Sequence, residues 1–215
     1  MRTQLIIPMQ HLMKLLEPAL AKASDVLEVG CAGGLLSLRL AALHRSAQFT
    51  AVEQNDHFLA VARENAIFAN LVSYRGRFNC DYARPTRLPF EDDSFDVVFS
   101  FCALARWERP NKVIAECARV CRPGGLVVLY DLARDADEGM ISFVLQYSAG
   151  DAEQFMSSLQ RGYAVDEMRE LLTAEGLNDW AVAREGINLI VSSKPLGVSY
   201  AVGEPGIYEN IFVET

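Results

Sequence analysis

The stretch VLEVGCAGG, Val26–Gly34, joins an apolar run that contains one acid, Glu28, to a segment rich in glycine. The run DVLEV (25–29) has the length of a buried strand, and LLSLRLAALH (35–44) has that of a helix. In an open parallel sheet, ligands bind beyond the carboxyl ends of the strands. The glycine turn between these two elements therefore predicts a binding site, because glycine lets the backbone turn sharply and approach a ligand closely.

The same alternation of strand and helix continues along the chain. The predicted strands are 25–29, 48–53, 72–78, 95–101, 126–132, 180–184 and 188–193, and the predicted helices are 9–22, 35–44, 57–71, 112–121 and 166–176. Asn55 and Asp56 are candidates to cap the third of these helices. The last two strands are joined by too few residues for a crossover, so we expect that pair to be antiparallel. The pattern predicts an α/β protein with a mostly parallel sheet.

Composition limits the classes of protein to which this chain could belong. The chain has 215 residues, 51% of them hydrophobic, and a net charge of −8, and its Lys and Arg residues do not cluster in sequence. These features favour a single domain and disfavour nucleic acid as a partner. We expect no membrane span and no signal peptide, because the sequence contains neither a long apolar run nor a cleavage site. Five cysteines, an odd number, favour free thiols and a cytoplasmic location.

The glycine pattern argues against a dinucleotide site. The G-x-G-x-x-G pattern, begun at Gly30, would place its second and third glycines at Ala32 and Leu35. Glu28 would also place a negative charge close to the pyrophosphate of such a ligand. A carboxylate in this position is better suited to a ligand with a positively charged group, such as an α-amino group.

The segment EVGCAGG resembles the D/E-x-G-x-G-x-G motif of class I S-adenosylmethionine-dependent methyltransferases, with Ala32 in place of the middle glycine. Further segments resemble later motifs of the same family, in the same order. They are AVEQN, ending the second predicted strand, CDYARPTRLPFEDDSFDVVFS, RVCRPGGLVVLYDL, and LQRGYAVDEMRELLTAEGL, which is similar to the type 11 subgroup. The resemblance covers roughly residues 25–195.

The resemblance implies a Rossmann-like, doubly wound, seven-stranded sheet that is mostly parallel with an antiparallel last strand, with helices on both faces. It also implies S-adenosyl-L-methionine as the cofactor and S-adenosyl-L-homocysteine (SAH) as the product. No metal is expected, because Cys117 and Cys121, which share a helix face, have no matching His or Cys pair elsewhere. Glu53 would bind the ribose hydroxyls, while Asp81 and Tyr82 would lie at the adenine. The implied cofactor-binding residues are Glu28, Gly30, Cys31, Gly34, Glu53, Gln54, Asp81, Tyr82 and Phe101. The chain departs from the family pattern by about three extra residues, around Arg84 to Thr86.

The acceptor pocket is expected between the N-terminal helix (1–24), the loop 101–110 and an insert at 133–165. The candidate residues are His11, Arg106, Trp107, Tyr147 and Tyr163, although His11 and Trp107 are also compatible with core packing. Many relatives carry a His before the aromatic residue of that loop, where this chain has Arg106. An N/D-P-P-Y/F motif is missing, which favours a small-molecule acceptor. No catalytic residue is assigned.

The reaction predicted from the resemblance is SN2 methyl transfer to a small molecule. Two alternatives are a non-catalytic S-adenosylmethionine-binding regulatory or partner subunit, and an NAD-dependent oxidoreductase. We expect one methyltransferase domain over residues 1–195 and an extension at 196–215. The extension is too apolar for a free tail, so it is expected to fold back or to cover a second subunit in a homodimer.

Overall fold

The structure, a computed structural model, describes residues 6–69, 77–146 and 152–196. The strands of this part of the chain are β1 (Asp25–Val29), β2 (Gln48–Glu53), β3 (Phe78–Tyr82), β4 (Phe95–Phe101), β5 (Cys121–Leu132), β6 (Ala181–Glu185) and β7 (Asn188–Ser192). The helices are α1 (Ile6–Leu20), α2 (Leu35–Leu43), α3 (Asp56–Ala69), α4 (Pro110–Val120), α5 (Glu138–Gln146), α6 (Ala152–Arg161) and α7 (Val165–Ala174).

The seven strands form one sheet in the order β3-β2-β1-β4-β5-β7-β6. Pairing is parallel from β3 to β5, and β7 is antiparallel to both β5 and β6. The turn between β6 and β7 contains only Gly186 and Ile187, which is too short for a crossover. The predicted fold class is therefore confirmed. The strand order reverses between β1 and β4, which is where open α/β sheets bind ligands.

Apolar side chains cover both faces of the sheet. On one face, Leu16 of α1 and Leu40 of α2 belong to the same buried cluster as Phe99 of β4. On the other face, Ile114 of α4 and Leu172 of α7 are buried in a second cluster. Neighbouring residues of a strand point to opposite faces, so each central strand contributes to both clusters.

The third strand lies later than predicted. It spans Phe78–Tyr82, so the predicted range 72–78 meets it only at Phe78, and residues 70–76 lie outside the described part of the chain. In FNCDY, Phe78 and Cys80 are buried while the residues between and after them are exposed. This is the alternation of a strand with one covered face, and its polar positions had made the segment resemble a loop.

Other boundaries differ less. β5 begins at Cys121 rather than 126, because Cys121 already pairs with Phe95 of β4. The predicted cap of α3 is confirmed at Asn55, whose Oδ1 accepts from the backbone N–H groups of His57 and Phe58. The insert 133–165 contains α5 and α6, and α6 contributes Phe155 to the core.

Two predictions lie outside the described residues. They are the position of Tyr147 and the folding of the extension beyond Leu196. No helix in the ranges 6–69, 77–146 and 152–196 has the length and apolar character needed to span a bilayer. All five cysteines are free thiols.

Candidate active site

The glycine corner after β1 is held against β2 by backbone hydrogen bonds. The N–H groups of Gly30 and Cys31 donate to the Val52 carbonyl, at 2.9 and 3.2 Å. Gly30 has a φ of +79°, and a Cβ there would lie 2.8 Å from the Cβ of Ala103. Gly30 is therefore required both by its conformation and by the loop after β4 that packs against it.

Ala32, which replaces the middle glycine of the motif, also has a left-handed conformation, with a φ of +47°. Its N–H donates to Glu53 Oε2 at 2.9 Å. This hydrogen bond to a buried carboxylate compensates for a conformation that is unfavourable for any residue with a Cβ.

Glu53, at the end of β2, is 4% exposed. Its Oε1 accepts from the N–H groups of Gln54 and Asn55, both at 3.0 Å, while its Oε2 accepts from Ala32. Three backbone donors thus hold one carboxylate between the glycine corner and the start of α3. The side chain is fixed before any ligand binds.

Glu53 lines a cavity of about 180 Å³ at the carboxyl edge of the sheet. The cavity extends from the glycine corner across the ends of β2 and β3. Its lining comprises Gly30, Val52, Glu53, Gln54, Asn55, Phe58, Ala83, Pro85, Arg106 and Trp107. The structure therefore brings together Gly30, Glu53 and Gln54, which the resemblance assigns to the cofactor, and Arg106 and Trp107, which are candidates for the acceptor pocket.

Glu28 lies in a different environment. It is 2% exposed and does not line the cavity; its Oε2 accepts from the Ser37 hydroxyl at 2.5 Å and from the Ser37 N–H at 3.3 Å. Burial raises the pKa of Glu28 to about 7, against the hydrogen bonds from Ser37, which lower it. In this structure the acid of the glycine motif connects β1 to the first turn of α2.

Arg106 and Trp107 are positioned by a short 3-10 turn, Leu104–Arg106. The buried Asp131, near the end of β5, accepts from the Ala105 N–H at 3.2 Å and so fixes this turn. Burial raises the pKa of Asp131. Arg106 Nη2 donates to the Gly30 carbonyl at 3.1 Å, which places the guanidinium directly above the glycine corner.

His11 joins three elements at the same edge of the sheet. Its Nδ1 lies 2.9 Å from the hydroxyl of Tyr130 in β5, and its Nε2 lies 3.1 Å from Glu185 Oε2 at the end of β6. The second contact has the length of a hydrogen bond but not its direction. Burial, followed by the positive charge of Lys14, lowers the pKa of His11, so the imidazole is neutral at pH 7.

The other predicted residues are more dispersed. Asp81 is exposed and pairs with Arg63 at 3.4 Å, outside the cavity. The Cys31 and Cys80 sulfurs, both buried, lie 3.6 Å apart.

Four predicted positions remain, and the first of them, Tyr82, is exposed at the end of β3. The Phe101 ring packs against Tyr130, with centroids 5.9 Å apart. Tyr163 pairs with Ala133 through the backbone and packs on the core. Gly34, with a φ of +70°, precedes α2, and a Cβ there would lie 3.1 Å from the Phe78 ring.

Comparison with known proteins agrees with this geometry. Residues 27–129 match the sequence model of the type 11 methyltransferases, described as "Methyltransferase domain". The ubiquinone biosynthesis O-methyltransferase of Idiomarina loihiensis is 30% identical over 185 residues, which cover 82% of this chain and 72% of that protein. The protein of the same name from Hahella chejuensis is 29% identical over 167 residues, covering 76% of this chain and 63% of the relative.

This chain belongs to the class I S-adenosylmethionine-dependent methyltransferases. A SAM-dependent methyltransferase from Aquifex aeolicus has the same fold, with a TM-score of 0.64 at 18% identity over 88% of this chain and 89% of that one. The plantazolicin methyltransferase BamL, solved with SAH, gives a TM-score of 0.66 at 12% identity over 86% and 68% of the two chains. Membership in this family decides against the NAD-dependent oxidoreductase.

The residues of this methyltransferase fit its cofactor. A Cβ at Gly30 would fill the space between β1 and Ala103, so that the corner stays open only to a glycine backbone. Glu53 presents a fixed carboxylate to the cavity, and a carboxylate can accept from both hydroxyls of a ribose. Cavity and acid lie at the strand-order reversal, where the fold binds ligands.

Several site residues of the methyltransferase were not predicted from sequence. Ser37 holds Glu28, Asp131 holds the Arg106 turn, and Tyr130 and Glu185 contact His11. A signal existed for Asp131, since it is an acid near the end of the apolar strand LVVLYDL. Ser37 contacts Glu28 of the preceding strand, and Glu185 contacts His11 of α1. The sequence gives no local sign of either contact.

Proposed function

We propose that this methyltransferase transfers a methyl group to a hydroxyl oxygen of a small-molecule acceptor. The observation that carries the proposal is the His11–Tyr130–Glu185 chain, which can receive a proton at the carboxyl edge of the sheet. Both curated relatives are named O-methyltransferases of ubiquinone biosynthesis, and this name supports a small hydroxylated acceptor.

The residues around the cavity would bind the cofactor. Glu53 would accept from the ribose hydroxyls, Gly30 would allow the cofactor to approach the backbone closely, and Gln54 lines the cavity beside them. When bound, S-adenosylmethionine supplies an electrophilic methyl group that an oxygen nucleophile can displace from sulfur. The protein then has to position the acceptor and remove its proton.

The neutral His11 is the proton acceptor in this proposal. In the proposed tautomer its Nδ1 accepts from the Tyr130 hydroxyl, 2.9 Å away, whose oxygen keeps a lone pair for an acceptor hydroxyl. Tyr130 is 1% exposed and lines neither cavity, so the acceptor has to displace neighbouring side chains to reach this oxygen. As the acceptor O–H gives its proton to the Tyr130 oxygen, Tyr130 passes its own proton to His11. Glu185 faces the other ring nitrogen and stabilises the imidazolium that forms.

The surrounding elements support an acceptor site here. Tyr130 directly precedes Asp131, whose carboxylate holds the turn that carries Arg106. Phe101, at the end of β4, packs against the Tyr130 ring. Beside Glu185, a Cβ at Gly186 would lie 3.4 Å from Cε of Met140 in the insert. The N-terminal helix, which carries His11, and Met140 of the insert thus lie near Glu185 and Gly186, and this proximity supports an acceptor site at this edge of the sheet.

The test is His11→Gln, with His44→Gln at the far end of α2 as the matched control. Turnover is measured as SAH formation with phenols and catechols, and SAH affinity is measured by calorimetry. We expect His11→Gln to lower kcat by roughly 100-fold, the scale of general-base catalysis, and to leave SAH affinity within about twofold. Unchanged kcat in His11→Gln would overturn the proton route.

The panel of acceptors also distinguishes an active methyltransferase from the remaining alternative, a subunit that binds the cofactor without turnover. SAH binding without SAH formation from any phenol, catechol, amine or thiol would favour the non-catalytic binding subunit. Turnover confined to amines or thiols would overturn the choice of oxygen.

A further inference from the structure

A second, open cavity of about 330 Å³ adjoins the first. Its lining includes Gln54 and Tyr82, which the resemblance assigns to the cofactor, but the proposed function assigns no ligand to its arginines. The two cavities share Gln54, Pro85, Arg106 and Trp107. Part of the second wall is Arg84, Pro85 and Thr86, the three residues by which this chain departs from the family pattern. The departure therefore builds a cavity next to the cofactor site.

The second cavity is lined by positive charge in an otherwise acidic protein. Arg84, Arg106 and Arg109 line it, against one carboxylate, Glu108. The chain as a whole carries a net charge of −8. Three arginines from two segments, the residues after β3 and the loop between β4 and α4, line this one space.

These guanidinium groups form no direct ion pair with a carboxylate, although the charge of Arg106 acts on the buried Glu28 and Asp131 and opposes the rise in their pKa values. Among the residues that the structure describes, Arg84, Arg106 and Arg109 form no ion pair, and Arg106 donates only to the Gly30 carbonyl. Arg119 and Arg122, by contrast, are each paired with two acids. The cavity arginines keep donors available for an external anion.

Helix α4 adds to the positive field. It begins at this cavity, with Arg109 as its N-cap and Pro110 as its first residue, and no side chain caps it. Arg109 and Val113 of its first turn line the cavity. The unpaired N–H groups and the dipole of a helix N-terminus favour a negative charge, so the helix and the three arginines act in the same direction.

Hydrogen bonds of the backbone hold the walls of the second cavity in place, without the use of the arginine side chains. The Arg87 N–H donates to the Arg84 carbonyl at 3.0 Å, and the Leu88 N–H donates to Glu116 at 2.7 Å. The turn before Arg106 is held by Asp131. The positive groups are thus mounted on an ordered frame, which lowers the entropic cost of binding.

We propose that this second cavity, named here the arginine cavity and lined by Arg84, Arg106 and Arg109, is a binding site for the carboxylate or phosphate of a small molecule. The planar guanidinium groups suit both anions, because each can offer two parallel N–H donors. The anion belongs either to the methyl acceptor or to a separate ligand that binds beside the cofactor.

Binding is tested directly, without turnover, with inorganic phosphate and with benzoate at constant ionic strength. The chain has two tryptophans, so in a Trp180→Phe background the fluorescence reports on Trp107, which lines the cavity. The thermal midpoint of the wild-type protein is a second readout that does not depend on this background. Both are measured without SAH and again with the protein saturated in SAH.

The test variant is Arg84→Gln/Arg109→Gln, and the matched control is Arg39→Gln/Arg45→Gln, which removes the same charge from exposed positions that line neither cavity. We expect at least tenfold weaker binding of phosphate and benzoate in the test variant, and a change within twofold in the control. SAH affinity should stay within twofold in both.

Three outcomes would overturn the proposal. The first is that wild-type protein shows no anion-specific response at constant ionic strength. The second is that the control loses as much affinity as the test variant, which would indicate a solvated basic surface. The third is that SAH abolishes anion binding, which would assign the arginines to the carboxylate of the cofactor.

The source of the anion is assigned by paired acceptors, 3-hydroxybenzoate and 3-hydroxybenzamide, which differ in charge but hardly in shape. A preference in kcat/KM for the acid that disappears in Arg84→Gln/Arg109→Gln assigns the anion to the acceptor. Anion binding without such a preference assigns it to a separate ligand. Because the binding measurements need no methyl transfer, they remain informative if the proposed acceptor chemistry fails.

Discussion

Two buried acids lie near the ends of β1 and β2. They occupy similar positions in the sequence but different environments in the structure. Glu28 and Glu53 both end apolar strands at the ligand edge, and both accept hydrogen bonds from backbone N–H groups. Glu28 is enclosed with Ser37 inside the β1–α2 unit, whereas Glu53 lines the cavity. A buried carboxylate beside a glycine turn can thus either hold the backbone around the site in place or face the ligand. Which of these it does depends on the residues that cover it.

The largest expected effect tests the corner between these acids. Gly30→Ala adds a Cβ 2.8 Å from Ala103, whereas Gly124→Ala adds one in open space at nearly the same φ, +78° against +79°. The control should lose about 1 kcal/mol of unfolding free energy from its left-handed conformation. Gly30→Ala should lose roughly 2–4 kcal/mol because overpacking adds to this cost.

Urea unfolding gives the two free energies, and calorimetry gives the SAH affinity. We expect SAH affinity to fall at least about tenfold in Gly30→Ala and to stay unchanged in Gly124→Ala, which lines neither cavity. Equal losses of stability in the two variants would show that Ala103 does not constrain the corner.

The second prediction concerns the enclosed acid. Burial raises the pKa of Glu28 from 4.5 to about 7, so between these values the folded protein keeps a proton that the unfolded chain has released. The contribution of Glu28 to the free energy of unfolding is therefore fully present below pH 4.5. It decreases as the pH rises and levels off above pH 7, after a loss of roughly 3 kcal/mol.

Glu28→Gln removes this dependence while keeping an oxygen that can accept from Ser37. Its unfolding free energy relative to wild type should rise by roughly 3 kcal/mol between pH 4.5 and pH 8, measured by urea unfolding at several pH values. A difference that is constant over this range would contradict the raised pKa. SAH affinity should change little, in contrast to the corresponding change at Glu53.

The smallest expected effect is Glu53→Gln. The amide keeps one oxygen for Gln54 and Asn55 but presents an N–H group to the Ala32 N–H. The loss of a buried hydrogen bond, together with weaker acceptance from the ribose, should lower SAH affinity by about 1–3 kcal/mol. Calorimetry at pH 8 compares this variant with Glu28→Gln, and equal losses in the two would remove the distinction between the acids.

Local chemistry explains which features could be predicted. The glycine turn, the alternation of strands and helices and the Asn55 cap depend on residues close in sequence, and each was found. The third strand was placed too early because its alternating polar residues resemble a loop unless β2 is known to lie beside it. His11 was a candidate from its position, but its partners Tyr130 and Glu185 come from strands far along the chain.

The sequence by itself determined the fold class, because apolar periodicity is a local constraint on the backbone, and the family, because several motifs resemble it in the same order. It predicted the cofactor corner at the glycine turn. Only the tertiary structure decided which acid faces the cavity, which residues surround His11, and that Arg84, Arg106 and Arg109 meet in one space. Burial and charge convergence arise from the packing of elements distant in the chain. These residues become neighbours only when the folded sheet places their elements at the same edge.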